Sequence, residues 1–202
     1  FVTYLTNVLQ PLVRRLPDAE PLWGLLSRGK ASSRETYRKE LQATVEALRC
    51  HPCIGCWVPF NEGWGQFQTE DMTRIVRRLD PNRLIDQASG WFDQGGGDFS
   101  SLHNYFFKLF IRPERERASV LSEFGGYSYR EPGHCAKEKL YGYGICKNKK
   151  DLEKRFLERW SGVRNLIPQG LSASIYTQWT DVEEEVNGVF TYDREVRKIE
   201  PF

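Results

Sequence analysis

Two glutamates stand at the ends of apolar stretches, and each is followed by glycine. Glu62 comes after residues 54–60 (IGCWVPF) and Asn61. Glu123 comes after residues 118–122 (ASVLS). Short apolar runs bounded by turn-forming residues are typical of buried strands, and parallel α/β proteins place catalytic groups at the carboxyl ends of such strands. The sequence therefore predicts that both carboxyl groups lie at the same end of one sheet.

Enzymatic hydrolysis of a glycosidic bond typically uses a pair of carboxyl groups. One carboxyl donates a proton to the leaving oxygen, while the other, ionised, attacks the sugar or activates water. A separation of about 5 to 5.5 Å gives retention of configuration, and about 6.5 to 9.5 Å gives inversion. The alternative is that Glu62 only caps the following helix. Thr69 stands closer to the periodic apolar residues and is the better N-cap, so we favour the catalytic interpretation.

Helical spacing of apolar residues and short β-forming runs predict the elements that would position these glutamates. A capping-box pattern at residues 32–35 marks the first helix, and residues 127–150 are predicted to form a long loop. His103 and Tyr105 are expected on the same side of their strand, because side chains alternate. Alternating helices and strands favour a parallel sheet with helical crossovers. Helices are predicted at about residues 33–49, 72–79 and 152–167, and strands at residues 54–60, 84–88, 100–105, 118–122 and 171–179.

The composition indicates one core and a small, nearly neutral partner. The 202 residues are 40% hydrophobic and 13% aromatic, enough for one core. The formal charge is +2, so no strong field directs the chain to nucleic acid or to an anionic membrane. No apolar run is long enough to span a bilayer. Six tryptophans and nine tyrosines suit carbohydrate, which is the predicted partner.

The cysteines do not form a complete set of disulfides, because their number, five, is odd. Cys50, Cys53 and Cys56 have the spacing of an iron–sulfur motif, but the fourth cysteine with its following proline is missing. Cys53 and Cys56 also enter a predicted strand, on which residues three apart face opposite sides. We therefore predict no iron–sulfur cluster. No metal ligand and no cofactor are predicted from the sequence, and whether the protein requires a metal stays open. The cellular location is left unpredicted, since the sequence has no signal peptide and does not begin with methionine.

Three motifs resemble the catalytic domain of one enzyme family. They are residues 57–65 (WVPFNEGWG), residues 122–126 (SEFGG) and residues 176–183 (YTQWTDVE). In this order they resemble glycoside hydrolase family 2, the group of β-galactosidases, β-glucuronidases and β-mannosidases. The resemblance covers residues 33–197 and implies a (β/α)8 TIM barrel, an α/β fold, of which this chain supplies strands 4 to 8.

The beginning of the chain departs from this family. Residues 1–32, which include a predicted short helix near residues 1–12, do not resemble barrel strands 1 to 3. We therefore expect two parts, residues 1–32 with no assigned structure and residues 33–202 as the C-terminal part of a glycosidase barrel. The N-terminal domains that precede the barrel in this family are expected to be missing, so the chain would be a fragment of a larger enzyme. An open sheet exposes its edges, which leaves the activity of the isolated chain open.

The resemblance implies roles for individual residues. Glu62 is expected to be the general acid/base and Glu123 the nucleophile of a retaining, double-displacement hydrolase of terminal β-linked sugars. Asn61 would hydrogen-bond the sugar 2-hydroxyl, and Tyr105 would donate to the nucleophile. Further substrate contacts are expected from His103 and from two tryptophans that would offer flat faces to the sugar, Trp64 and Trp179.

Two alternatives stay open. His103 and Trp179 could be ordinary packing residues. The domain could also be an inactive carbohydrate-binding or structural remnant, which would keep the aromatic residues and lose turnover. Glu123→Gln separates the last case from an enzyme, because in an enzyme it should abolish turnover without loss of fold.

Overall fold

Helices and short strands alternate along the chain, as the sequence predicts. The computed structural model describes residues 16–25, 28–62, 65–90 and 92–200, so the helix predicted near residues 1–12 lies outside the described residues. The helices are α1 (Glu20–Leu25), α2 (Ala31–Leu48), α3 (Thr69–Leu79) and α4 (Lys149–Leu166), and a 3-10 turn (Ile167–Gln169) follows α4. The strands are β1 (Cys56–Trp57), β2 (Phe60–Asn61), β3 (Leu84–Ile85), β4 (Ala88–Ser89), β5 (Phe99–Asn104), β6 (Ala118–Gly125), β7 (Tyr127–Ser128), β8 (Gly144–Ile145) and β9 (Leu171–Thr177).

The three predicted helices are confirmed as α2, α3 and α4, with one correction at the start of α2. The predicted capping box is wrong, because α2 begins at Ala31 and its N-cap, Lys30, makes no capping side-chain hydrogen bond. Ser32, the serine of that pattern, therefore lies inside the helix, and the hydroxyl of the adjacent Ser33 accepts a hydrogen bond from Arg28 at 3.0 Å. A side-chain cap is found at α4, where Asn148 accepts from the backbone N–H of Asp151.

Two of the predicted strands are each split into two shorter ones. Residues 54–60 give β1 and β2, and residues 84–88 give β3 and the first residue of β4. The split between β1 and β2 falls at Pro59, which has no backbone N–H to give to a ladder. The apolar run at residues 54–60 therefore predicted where the chain is extended, while Pro59 determines where pairing is interrupted.

The described chain divides into two units. The first contains the residues up to His103 together with Arg112–Val120. The second contains Asn104–Ile111 and the residues from Leu121 onward.

The first unit packs α2 and α3 on parallel strand pairs. β1 pairs with β3, and β2 pairs with β4 so that Asn61 lies opposite Ser89. β5 is hydrogen-bonded to β6, whose residues up to Val120 belong to this unit. One core cluster joins the two helices to β3, and a second lies beside β2 and β4. The buried residues of the cluster at β3 are Val45, Val76 and Ile85. Those of the cluster beside β2 and β4 are Phe60, Phe67, Met72 and Ala88.

The second unit is built around α4 and β9. β9 is hydrogen-bonded to β6, whose residues from Leu121 belong to this unit. Apolar residues from α4 and from the end of the chain share a core, and they include Leu152, Phe156 and Ile199. Lys198 is fully buried beside them and its ammonium lies 2.6 Å from the Asp181 carboxylate. Because a buried charge needs a partner, this ion pair anchors the end of the chain to the segment after β9.

These elements make a mixed α/β structure with small, mainly parallel sheets. Over the described ranges the sheets contain two, two, three and two strands and do not form a closed barrel. None of the helices that the structure describes is long and apolar enough to cross a membrane.

Candidate active site

Glu62 directly follows β2 and has an unusual backbone conformation. Its φ is +52°, in the left-handed region that residues other than glycine rarely adopt. Its backbone N–H donates to the carbonyl of Ser89 at 2.6 Å, which continues the pairing of β2 with β4. Such a conformation costs about 1 to 3 kcal/mol and is concentrated at functional sites. Neighbouring residues therefore stabilise a backbone conformation at Glu62 that is unfavourable for a residue other than glycine.

The carboxyl group of Glu62 is held by a buried histidine. Oε1 of Glu62 lies 3.0 Å from Nδ1 of His103, and Nε2 of the same ring lies 2.7 Å from the hydroxyl of Ser89. The His103 side chain is fully buried, whereas 18% of the Glu62 side chain is exposed. One unit thus brings together Glu62 and His103, and it adds Ser89, which the sequence analysis did not single out.

The remaining residues predicted for this half of the site lie beside Glu62 along the chain. Asn61 is in β2, and its side chain is exposed. Trp64 lies outside the described residues, so its predicted stacking role stays a prediction. The exposure of Asn61 agrees with a side chain available to a ligand.

A buried carboxyl of the same unit, Asp86, follows β3. Burial raises the pKa of Asp86 to about 6, although the Ser101 hydroxyl and the charge of His103 act to lower it. Its Oδ1 atom is buried without a hydrogen-bond partner among the described residues. A carboxyl in this position is protonated more readily than an ordinary aspartate.

Glu123 lies in the part of β6 that belongs to the second unit, where a tyrosine supports it. The hydroxyl of Tyr105 donates to Oε2 of Glu123, and it also lies 3.4 Å from the hydroxyl of Thr177. Burial and then the negative charge of Glu123 raise the pKa of Tyr105 far above its usual value. Tyr105 therefore keeps its proton and acts as a hydrogen-bond donor to the carboxylate, as the resemblance implies.

Tyr105 is fixed by the aromatic ring of Tyr143. The two rings are stacked with centroids 3.8 Å apart. Tyr143 belongs to the segment that the sequence predicts as a long loop, and that segment does carry only the short strands β7 and β8. The abundance of tyrosine and glycine there is the one sequence signal that could have indicated Tyr143.

The two glycines after Glu123 are required by close packing. Gly125 has φ +94°, and a Cβ atom there would lie 2.3 Å from the ring of Tyr176. Gly126 has φ +68°, and its Cβ would lie 2.7 Å from the ring of Tyr143. Only glycine combines this conformation with this approach. The glycines of the SEFGG motif therefore let the chain turn away immediately after the carboxylate.

Trp179 offers a large exposed apolar face in the second unit. It is 69% exposed, and its ring centroid lies 5.0 Å from that of Phe190. It borders a groove of about 470 Å³ whose wall also includes Trp160 and Tyr176. The geometry suits stacking on a sugar ring, and the predicted contact of Trp179 with substrate stays a prediction.

A group of possible metal ligands lies elsewhere in the second unit. The ligand atoms of His134, Asp193 and Glu195 lie within 4.8 Å of one another. Nδ1 of His134 is 2.8 Å from the Asp193 carboxylate, and this hydrogen bond raises the pKa of the histidine. Because a metal binds the neutral imidazole, the arrangement fits an ion pair better than a metal site.

Comparison with known proteins gives a fold but no family. No family model and no curated protein matches the sequence. The β-D-glucuronidase of Dictyoglomus thermophilum is 14% identical, with a TM-score of 0.61 over 84% of this chain and 34% of that one. The β-glucuronidase of Bifidobacterium dentium, solved with coumarin-3-O-glucuronide, is 13% identical, with a TM-score of 0.57 over 97% of this chain and 41% of that one. The β-glucuronidase of Ruminococcus gnavus is 16% identical, with a TM-score of 0.51 over 79% and 33%.

The fold of this chain is similar to part of a β-glucuronidase. The chain spans between 33% and 41% of the length of these three structures. Identities this low relate folds only, so the similarity shows a fold shared with part of these enzymes and leaves the activity of this chain to be tested.

Proposed function

We propose that this chain carries the catalytic residues of a retaining β-glycoside hydrolase. Glu123 is the nucleophile and Glu62 the general acid/base. The observation that carries this assignment is the difference between the partners of the two carboxyl groups. Glu123 accepts a hydrogen bond from a phenol that keeps its proton, whereas Glu62 is held at one oxygen by an imidazole. The phenol orients Glu123 as an attacking carboxylate, and the imidazole contact at Oε1 leaves the other oxygen of Glu62 for proton transfer.

The reaction proceeds in two displacements. In the first, an oxygen of Glu123 attacks the anomeric carbon, the bond to the leaving oxygen breaks, and Glu62 gives that oxygen its proton. In the second, Glu62 takes a proton from water, whose oxygen attacks the anomeric carbon and releases Glu123. The proposal requires the two carboxyl groups to be about 5 to 5.5 Å apart.

We further propose that residues 33–202 contribute strands 4 to 8 of a (β/α)8 barrel, with residues 1–32 outside it. The similarity to β-glucuronidases over about a third of their length supports this assignment. Other segments of a larger enzyme would then supply strands 1 to 3 and the N-terminal domains. Closing the barrel would remove the open sheet edges.

The proposed substrates are terminal β-linked sugars. Asn61 would bind the 2-hydroxyl, and Trp64 and Trp179 would stack on apolar sugar faces. The structural neighbours are β-glucuronidases, so aryl β-glucuronides are the first substrates to test, followed by the galactosides and mannosides.

Substitution of each glutamate tests this function. For an aryl β-glycoside with a poor leaving group, Glu62→Gln and Glu123→Gln should each lower kcat/KM at least about a hundredfold, because the first removes the proton donor and the second removes the nucleophile. Glu116→Gln, at an exposed carboxylate, is the matched control. The sugar released first should keep the β configuration, which proton NMR of the fresh product measures. Unchanged turnover in both glutamate variants, or inversion at the anomeric carbon, would contradict the assignment.

A sugar-binding domain without turnover is the second candidate. The exposed Trp179 beside the groove with Trp160 favours it, since this surface can stack on a sugar without either glutamate. Sugar binding that persists in Glu123→Gln, with no turnover in the parent protein, would support this alternative.

A further inference from the structure

Three residues of the first unit form a closed ring of hydrogen bonds around Glu62. The Glu62 backbone N–H donates to the Ser89 carbonyl at 2.6 Å, and the Ser89 hydroxyl lies 2.7 Å from His103 Nε2. His103 Nδ1 completes the ring at 3.0 Å from Glu62 Oε1. Ser89 thus holds Glu62 twice, directly through the backbone and indirectly through the imidazole.

The imidazole in this ring has little freedom to move. It is fully buried, and Gly90 packs directly against it. A Cβ at Gly90 would lie 2.9 Å from Nδ1 and 3.0 Å from Cγ of His103, and φ at Gly90 is +108°. The glycine therefore allows the backbone to lie flat on the ring. Asp86 is a titratable neighbour that interacts electrostatically with His103.

The Ser89 hydroxyl can determine which ring nitrogen carries the hydrogen. In a neutral imidazole one nitrogen donates and the other accepts. If the Ser89 hydroxyl donates to Nε2, the hydrogen is on Nδ1, which then donates to Oε1 of Glu62. An oxygen that already accepts this hydrogen bond is the less favourable site for the proton of the carboxyl group.

We propose that His103, whose tautomer is fixed by Ser89, is a positioning residue. Its Nδ1–H donates to Oε1 of Glu62 and so keeps the transferable proton on Oε2. This inference rests on the proposed role of Glu62 as general acid/base. It replaces the predicted contact of His103 with substrate, because both ring nitrogens face protein groups. The Nδ1–H donor can serve both protonation states of Glu62, since Oε1 accepts in the carboxylate and in the carboxylic acid alike.

Two variants of His103 separate positioning from packing. An Asn side chain can place its amide where Nδ1 lies, so His103→Asn retains a donor to Glu62 and loses the contact with Ser89. A Gln side chain reaches further, so His103→Gln retains the contact with Ser89 and loses the donor to Glu62. The matched control is His51→Gln, at an exposed histidine.

Leaving-group dependence is the kinetic readout. An aryl β-glycoside with a poor leaving group needs the proton from Glu62, whereas a dinitrophenyl β-glycoside does not need it for bond cleavage. For the poor leaving group, His103→Gln should lower kcat/KM by about ten- to a hundredfold and His103→Asn by less than about threefold. For the dinitrophenyl substrate, neither variant should lower it more than about threefold. Equal losses on both substrates would overturn the proposal.

The tautomer of His103 provides a readout that needs no turnover. Nitrogen-15 NMR of the wild-type protein should show the hydrogen on Nδ1. The chain has three histidines, so the His103 resonances are assigned by elimination, as those that remain in both His51→Gln and His134→Gln. Ser89→Ala should convert this to a mixture of tautomers. Hydrogen on Nε2 in the wild type would overturn the proposal even if every variant of His103 failed to fold. A wild-type protein with the Nδ1 tautomer and no hydrolysis would instead contradict the proposed function.

Discussion

Tyr105→Phe removes a hydroxyl that donates to the proposed nucleophile. The phenol is buried, donates to Oε2 of Glu123, and stacks on Tyr143 through its ring. Phenylalanine keeps the ring and its stacking, so the change removes only the hydroxyl. A hydrogen bond to a charged group contributes about 1.5 to 3 kcal/mol, and each 1.4 kcal/mol corresponds to about a factor of ten.

Two measurements follow from that magnitude. The kcat/KM for an aryl β-glycoside should fall by about ten- to a hundredfold, because the carboxylate loses the donor that orients it for attack on the anomeric carbon. The free energy of unfolding in urea should fall by about 1 to 3 kcal/mol, since Oε2 loses a hydrogen-bond partner. The second measurement does not depend on turnover.

Tyr192 provides the matched control for this substitution. Tyr192→Phe makes the same chemical change at a side chain that is 51% exposed, and it should alter neither quantity. Neutral surface substitutions change the free energy of unfolding by roughly 0.5 kcal/mol at most. If Tyr105→Phe changes the free energy of unfolding by less than about 0.5 kcal/mol and kcat/KM by less than about twofold, the hydrogen bond to Glu123 does not support the carboxylate.

Two further predictions concern stability. Gly125→Ala should lower the free energy of unfolding, measured by urea titration, by about 2 to 5 kcal/mol, because the new methyl group clashes with the Tyr176 ring and the positive φ is unfavourable for alanine. Gly95→Ala is the control, since Gly95 also has a positive φ (+83°) but has open space around it, and it should cost only about 1 to 2 kcal/mol. Equal losses would show that packing against Tyr176 is unimportant. Asp86 has a pKa of about 6 in the folded protein and about 4 when unfolded, so the folded state binds its proton more tightly and stability should fall by up to about 3 kcal/mol as pH rises from 4 to 6. In Asp86→Asn the free energy of unfolding, measured in urea at pH 4 and at pH 6, should no longer show this decline. If the decline persists in the variant, other groups cause it.

The positions of the helices could be predicted from apolar spacing, because a helix buries one face and the sequence must repeat accordingly. The beginning of α2 could not, because the helix begins at Ala31, so the capping-box serine, Ser32, lies inside the helix and not at its N-cap. The strands were located, but the one predicted at residues 54–60 was too long, since Pro59 interrupts pairing within the apolar run, and the one predicted at residues 118–122 was too short, since β6 continues to Gly125.

Some residues of the candidate site could also be predicted from the sequence, and others could not. Glu62 and Glu123 could be found from the sequence because each stands at a change from apolar residues to glycine, which is a local feature. Ser89 and Tyr143 could not, because their roles depend on contacts with His103 and Tyr105 that lie far away along the chain.

The sequence by itself determined the types of reacting groups and the turns that follow them, because glycine, proline and apolar periodicity act over a few residues. Only the tertiary structure decided that an imidazole set by Ser89 holds Glu62 and that a buried phenol holds Glu123. Hydrogen bonds act over about 3 Å whatever the distance along the chain, so the partner of a carboxyl group is decided by folding.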